Sequence, residues 1–131
     1  MSNSSEQYSA ASAVSAATTP KLITNLNETV QNVAGSTASE GNLYGVHFQN
    51  ANATAVFVQI FDALAANVII GTTVPKISFW VPGSGGYDLW PTVAILHWGN
   101  GTGLSAAATT TATGSTDPGA SDIIANFFYK N

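Results

Sequence analysis

The sequence predicts an all-β protein, an antiparallel β-sandwich or jelly-roll-like domain with an extended N-terminal arm. From Leu43 onward, segments of five to eight residues alternate their side chains with the period of two that strands require. Turns rich in Gly, Pro and Asn separate these segments, and no long helical repeat follows residue 40. Since a sandwich needs roughly a hundred residues, we place the arm at residues 1–30 and the sandwich at residues 31–131.

The arm differs in composition from the rest of the chain. MSNSSEQYSAASAVSAATTP is rich in Ser and Ala, and it lacks the basic start and the continuous apolar run of a secretory signal. Because it has few large apolar side chains with which to hold itself in place, we expect neighbouring subunits to order it. Residues 20–40 carry isolated apolar side chains between polar ones, and we predict short extended pieces there.

Three strands are predicted in the first half of the sandwich. In LYGVHFQN, Tyr44, Val46 and Phe48 share one face and His47 lies on the other. AVFVQIFDA follows the turn NANA and is largely apolar on both faces, which is typical of a strand covered on both sides. KISFWVP is the third strand, and its proline ends it.

The second half of the sandwich begins with GSGGYDLWP, which predicts a loop with a short extended piece, and continues with the strand TVAILHW. After the turn GNGTG, residues 104–111 keep the period of two but have small side chains. They predict a thin strand near a sheet edge, which another surface can approach closely. Asp-Pro-Gly in GSTDPGA marks a turn. DIIANFFYK is then the closing strand, which buries Ile123 and Phe127.

The chain is poor in charge, and this excludes several classes of partner. Charged residues make up 8% of its 131 residues, against roughly 25% in ordinary soluble domains. Three lysines and no arginine cannot supply the phosphate-neutralising cations of a nucleic-acid-binding face, and they cannot bind an anionic membrane surface. A neutral polar surface suits extensive contact with other protein chains. Cysteine is absent, so neither disulfides nor thiolate ligands contribute.

The titratable residues do not form a recognisable catalytic or metal-binding pattern. Seven acids and two histidines, His47 and His97, are spread along the chain. No Gly-x-Ser-x-Gly nucleophile motif is present, since Ser84 lies in Gly-Ser-Gly one position short of it. The glycine clusters lack the Lys-Ser/Thr of a phosphate-binding loop. We therefore expect a protein that is not an enzyme and has no catalytic residues, cofactor or metal.

The tryptophans are the best candidates for binding residues. Trp90 lies in the loop segment YDLWP, where it would anchor a protein interface, a setting in which Trp is enriched. The alternative is that exposed Trp stacks on sugar rings, as in a lectin-like module. The candidate interface residues are Tyr8, Leu22, Ile23, His47 and Trp90.

Residues 42–130 resemble small virion proteins of tailed bacteriophages, some of which are capsid decoration (cement) proteins. The resemblance rests on NLYGVHFQNANATAVFVQIFDA, IIGTTVPKISFWVPG and GLSAAATTTATGSTDPGASDIIANFFYK. These motifs are strand and turn signatures and not chemical sites. The resemblance implies a β-sandwich or jelly-roll protein on the outer surface of a phage head, which binds the major capsid protein as a homotrimer and bridges neighbouring capsomers.

Two alternatives to capsid decoration remain open at the level of sequence. The chain could be a structural protein of a tail, baseplate or fibre, which copy number would distinguish from a head protein. It could also be a β-sandwich module that recognises a host-surface sugar through Trp90 and its neighbours.

Overall fold

The computed structural model describes residues 18–34, 40–99 and 102–131. In this part of the chain, nine strands form two antiparallel sheets, and the single helical element is one 3-10 turn at Ala65–Asn67. The two sheets pack face to face as a β-sandwich. The strands are β1 (Thr19–Leu26), β2 (Gln31–Ala34), β3 (Gly41–Asn50), β4 (Val56–Phe61), β5 (Ile77–Val81), β6 (Gly85–Leu89), β7 (Leu96–Trp98), β8 (Leu104–Thr109) and β9 (Ile123–Lys130).

The strand order brings distant parts of the chain together. The first sheet has the order β1-β9-β3-β6, and the short β7 pairs with the beginning of β3 beyond the end of β6. The second sheet has the order β2-β8-β4-β5. The strands predicted after residue 43 are confirmed, and GSGGYDLWP contains β6 as its short extended piece.

The core lies between the sheets and follows the alternation of the strands. Val46 and Phe48 of β3 point into it, as predicted, and the Phe48 ring packs 5.6 Å from the ring of Phe127 on β9. A bulge between Leu43 and Gly45 shifts the alternation, so that Leu43 is buried where the sequence predicted Tyr44. A one-residue bulge exchanges the two faces of a strand, and a strict period of two cannot anticipate it.

The first strand falls within the segment that the sequence assigned to the arm. β1 pairs with β9 from Thr19 to Leu26, and the side chains of Ile23 and Leu26 are buried in the core. The sandwich therefore begins at Thr19 and not at residue 31. Extended pieces in residues 20–40 are confirmed as β1 and β2, whereas residues 1–17 lie outside the described residues.

The outer face of the second sheet is covered by the chain itself. Gln59 of β4 is fully buried, and its Nε2 donates hydrogen bonds to Thr109 Oγ1 at 2.6 Å and to the Gly114 carbonyl oxygen at 3.0 Å. These bonds hold the loop that follows β8 against the sheet. Ala107, also fully buried, leaves room for the close approach.

The strand predicted at residues 104–111 is present as β8, but its predicted place near a sheet edge is wrong. β8 lies between β2 and β4, and all six of its residues are buried. Small side chains do allow a close approach, but the approaching surface is the protein's own loop. Period and size identify a strand, whereas its neighbours depend on residues far away in the sequence.

Candidate functional site on the outer face of the first sheet

The outer face of the first sheet carries the candidate site, because it is the sheet face that the described loops leave open. His47 and Gln49 project from β3, and Asp88 projects from β6 opposite His47. Trp90 follows β6, and Phe128 projects from β9 opposite Gly45. The site therefore combines polar side chains and two aromatic rings on three adjacent strands.

A hydrogen-bonded chain of three side chains orders the polar part of the site. His47 Nδ1 contacts Asp88 Oδ1, and Gln49 Nε2 lies 3.3 Å from His47 Nε2. A carboxamide nitrogen can only donate, so His47 Nε2 accepts from Gln49, and Nδ1–H donates to Asp88. The neutral imidazole is thereby fixed in one tautomer and orientation, while Gln49 stays exposed to solvent.

Trp90 lies across the sheet and is 48% exposed. A Cβ atom at Gly45 would come within 2.5 Å of Cε3 and Cζ3 of the indole and within 3.3 Å of Cη2. The benzene half of the indole therefore covers the α-carbon of Gly45, and only glycine permits this approach. The Phe128 ring supports the indole from the side at a centroid distance of 4.8 Å. Trp90 is thus a fixed aromatic platform.

Two open grooves lie on this face along β3. The first, of about 500 Å³, is lined by polar side chains and glycine backbone near the end of β3: His47, Gln49, Asn50, Ala51, Ser84, Gly85 and Gly86. Ser84 has a positive φ of 50° in the turn between β5 and β6. Such a backbone is unusual for a residue with a side chain, and it places Ser84 on the rim of this groove.

The second groove, of about 370 Å³, lies near the beginning of β3. His97 Nδ1 is 3.0 Å from Asn42 Oδ1, and His97 Nε2 is 3.4 Å from Glu40 Oε2. Tyr44 and Lys130 complete its lining. Because Gly45 separates the two grooves along β3, the Trp90 platform lies between them.

The structure brings together three of the five candidate interface residues. His47 and Trp90 belong to the site, and Leu22 is 57% exposed on β1, where it pairs with Asn126, the neighbour of His47 on β9. Ile23 points the other way and is 4% exposed in the core, so its side chain is not accessible to a partner in this fold. Tyr8 lies outside the described residues.

The analysis of the sequence did not identify Gln49, Asp88 or Phe128 as members of the site. A signal for Asp88 was present, since the alternation in YDLW places Asp88 and Trp90 on one face and Tyr87 and Leu89 on the other. No local signal could show that β6 pairs with β3 at His47, because the two strands are 41 residues apart at that point.

Among residues 18–34, 40–99 and 102–131, no three His, Asp or Glu side chains lie close enough to hold a metal ion together. In the same part of the chain, no helix has the length and apolar character needed to cross a membrane.

Comparison with known proteins finds no matching family, curated protein or solved structure.

Proposed function

We propose that this chain is a structural virion protein, a decoration protein that binds the major capsid protein on the outer surface of a phage head and stabilises contacts between capsomers as a homotrimer. The resemblance of residues 42–130 to virion proteins of tailed bacteriophages supports this function. So does the low charge of the chain, since a neutral surface suits repeated contact with a protein shell.

The strand order supports a more specific fold within the β-sandwich class. An eight-stranded jelly roll consists of two four-stranded antiparallel sheets built from two Greek keys, an architecture common in viral capsid proteins. The orders β1-β9-β3-β6 and β2-β8-β4-β5 agree with this pattern once β7 is treated as an insertion. We therefore propose a jelly roll, with residues 1–17 as an arm that precedes it.

One observation carries the proposed mode of attachment. The loop that joins β4 to β5 presents Ile69 and Val74, which are 67% and 80% exposed. This loop leaves β4 at the end of the sandwich where Thr19 pairs with Tyr129 and the Gly99 amide bonds to Asp62. The arm therefore enters the domain at the end from which this loop departs, and we assign the capsid contact to that end.

Attachment of this kind stabilises a shell by mass action. A ligand that binds only the assembled capsid lowers the free energy of that state by RT ln(1 + [L]/Kd). Three linked subunits raise the effective concentration of each contact, so that individually weak contacts add up. An arm that becomes ordered on binding adds contact area at a cost in entropy.

The test is to locate and count the chain in purified particles. We expect a cryo-EM map to show density for the sandwich at many symmetry-related positions on the outer surface of the head. Gel densitometry against the major capsid protein should give copy numbers on the scale of the capsomers. A few copies confined to the tail would contradict the proposal and favour a tail, baseplate or fibre protein.

The contact surface has a matched pair of variants. The double variant Ile69→Ser and Val74→Ser should reduce attachment to particles that lack the protein. The control is Val93→Ser, because Val93 is 69% exposed in the loop between β6 and β7. Equal attachment of the two variants would refute the assignment of the contact to the β4–β5 loop.

A further inference from the structure

We infer that the outer face of the first sheet is a binding site for a neutral oligosaccharide, with Trp90 as the stacking platform and Gln49, His47 and Asp88 as hydrogen-bonding partners. This site is separate from the capsid contact proposed above, and the inference does not depend on that contact.

The geometry of Trp90 is the first step. One side of the indole rests on Gly45 and its flank rests on Phe128, so the exposed 48% of the residue includes the opposite side of the ring. Within the described residues, no hydrogen bond from its Nε1 is found. The negative face of an aromatic ring attracts weakly positive groups, and the axial C–H bonds on one side of a sugar ring form such a surface. The platform is built before any ligand arrives, which limits the entropy lost on binding.

The polar groups beside the platform match the hydroxyl groups of a sugar. A hydroxyl both donates and accepts, so its best partners are groups that do the same or occur in fixed pairs. Gln49 uses one N–H on His47, and its second N–H and its Oε1 bond to no other described residue. Asp88 uses one oxygen on His47, and its other oxygen can accept from a hydroxyl.

The charges of the face favour an uncharged ligand. Asp88 is matched by His47, and Glu40 is matched by His97, so neither carboxylate stands alone to attract a cation. The lining of the two grooves includes one lysine, Lys130, which is too few cations for a polyphosphate or a nucleic acid. A neutral saccharide requires no compensating charge.

The length of the face indicates a chain of sugars and not a single one. Gly86 in the first groove and Trp90 are four residues apart along one strand direction, which corresponds to roughly 13 Å at about 3.3 Å per residue. The second groove, with Tyr44 and His97, continues on the far side of the platform. A single sugar ring cannot reach from the first groove to the platform.

The experiment uses the full chain on a glycan array that includes bacterial surface polysaccharides, followed by titration of the bound glycan by calorimetry. We expect binding that Trp90→Ala weakens by more than about tenfold, since loss of one aromatic contact of this kind costs on the order of 1 kcal/mol or more. The matched control is Trp80→Ala, because Trp80 is 55% exposed but lies on the second sheet. This control should bind like the wild type.

Two further variants separate a binding defect from a folding defect. Gln49→Ala removes an exposed side chain and should weaken binding while the thermal midpoint is unchanged. Gly45→Ala should displace the indole and also weaken binding. The inference is overturned if no glycan on the array binds, or if Trp90→Ala and Trp80→Ala bind equally well. Loss of capsid attachment in Trp90→Ala without any glycan binding would identify the face as a protein interface instead.

Discussion

Asn52 and Ser121 pair like two residues of adjacent strands, although one partner uses its side chain. Asn52 Nδ2 donates to the Ser121 carbonyl oxygen at 2.7 Å, and the Ser121 amide donates to Asn52 Oδ1 at 2.9 Å. Asn52 is 8% exposed and lies in the turn after β3, whereas Ser121 precedes β9. One carboxamide thus ties together two turns that are 69 residues apart in the sequence.

The first prediction concerns this pair. Asn52→Ala should lower the free energy of unfolding by about 2–3 kcal/mol, because two hydrogen bonds are lost and the Ser121 backbone groups lose their partners. Urea denaturation followed by fluorescence measures the change. Asn67→Ala is the control, since Asn67 is exposed and should change stability by less than about 0.5 kcal/mol. Similar losses in both variants would show that the pair contributes nothing particular.

The second prediction concerns the small side chains of β8. Ala106→Leu should destabilise the protein by about 1–3 kcal/mol, because Ala106 is fully buried in the core opposite Ile60 and a larger side chain has no space. Ser115→Leu adds similar bulk at an exposed position of the following loop and should cost much less. The midpoints of thermal unfolding compare the two variants, and a larger shift for Ser115→Leu would contradict the packing described for β8.

The third prediction concerns the loop on the second sheet. Gln59→Leu keeps an apolar side chain at the position but removes the donor to Gly114 and Thr109. The loop should then open more often, so that the Thr110 amide, which donates to the Thr116 carbonyl oxygen at 3.2 Å, exchanges with solvent faster. Hydrogen exchange measured by mass spectrometry tests this. Amides of β3 provide the internal reference, because their exchange should stay at the wild-type rate unless the whole domain is destabilised.

The fourth prediction concerns the start of the domain. A variant that begins at Thr18 should fold, because it keeps all of β1 and the buried side chains of Ile23 and Leu26. A variant that begins at Asn27 lacks β1, uncovers the edge of β9 and opens the core, so it should lose cooperative unfolding. Circular dichroism and thermal denaturation distinguish them. If the shorter variant unfolded with the same midpoint as the longer one, β1 would not be an integral strand.

The strands themselves could be predicted from sequence because alternation is a local property. Val46 and Phe48 reveal β3, and the double-faced apolar pattern around Gln59 reveals a strand covered on both sides. The alternation did not reveal that β1 belongs to the sheet, because Leu22 and Ile23 are adjacent and resemble isolated apolar residues in a polar segment. Pairing with β9 decides the matter, and that contact spans about a hundred residues of sequence.

The candidate site was predictable only in part for a similar reason. Trp90 was conspicuous as a tryptophan in a loop, and the alternation placed His47 outside the core. Their proximity depends on the pairing of β3 with β6 and on Gly45, which makes room for the indole. Nothing in the neighbouring sequence distinguishes Gly45 from an ordinary weak position in a strand. A site assembled from three strands thus becomes visible only when their register is known.

The position of β9 between β1 and β3 has a consequence for biosynthesis. During translation, β1 and β3 leave the ribosome long before the strand that separates them, so the first sheet cannot close until residues 123–130 have emerged. Nearly every strand pair joins distant segments, and folding that depends on such contacts is slow, on the order of milliseconds to seconds for β-proteins. Half-made chains therefore expose unpaired apolar strands, which makes them vulnerable to aggregation and proteolysis until synthesis of the last strand completes the fold.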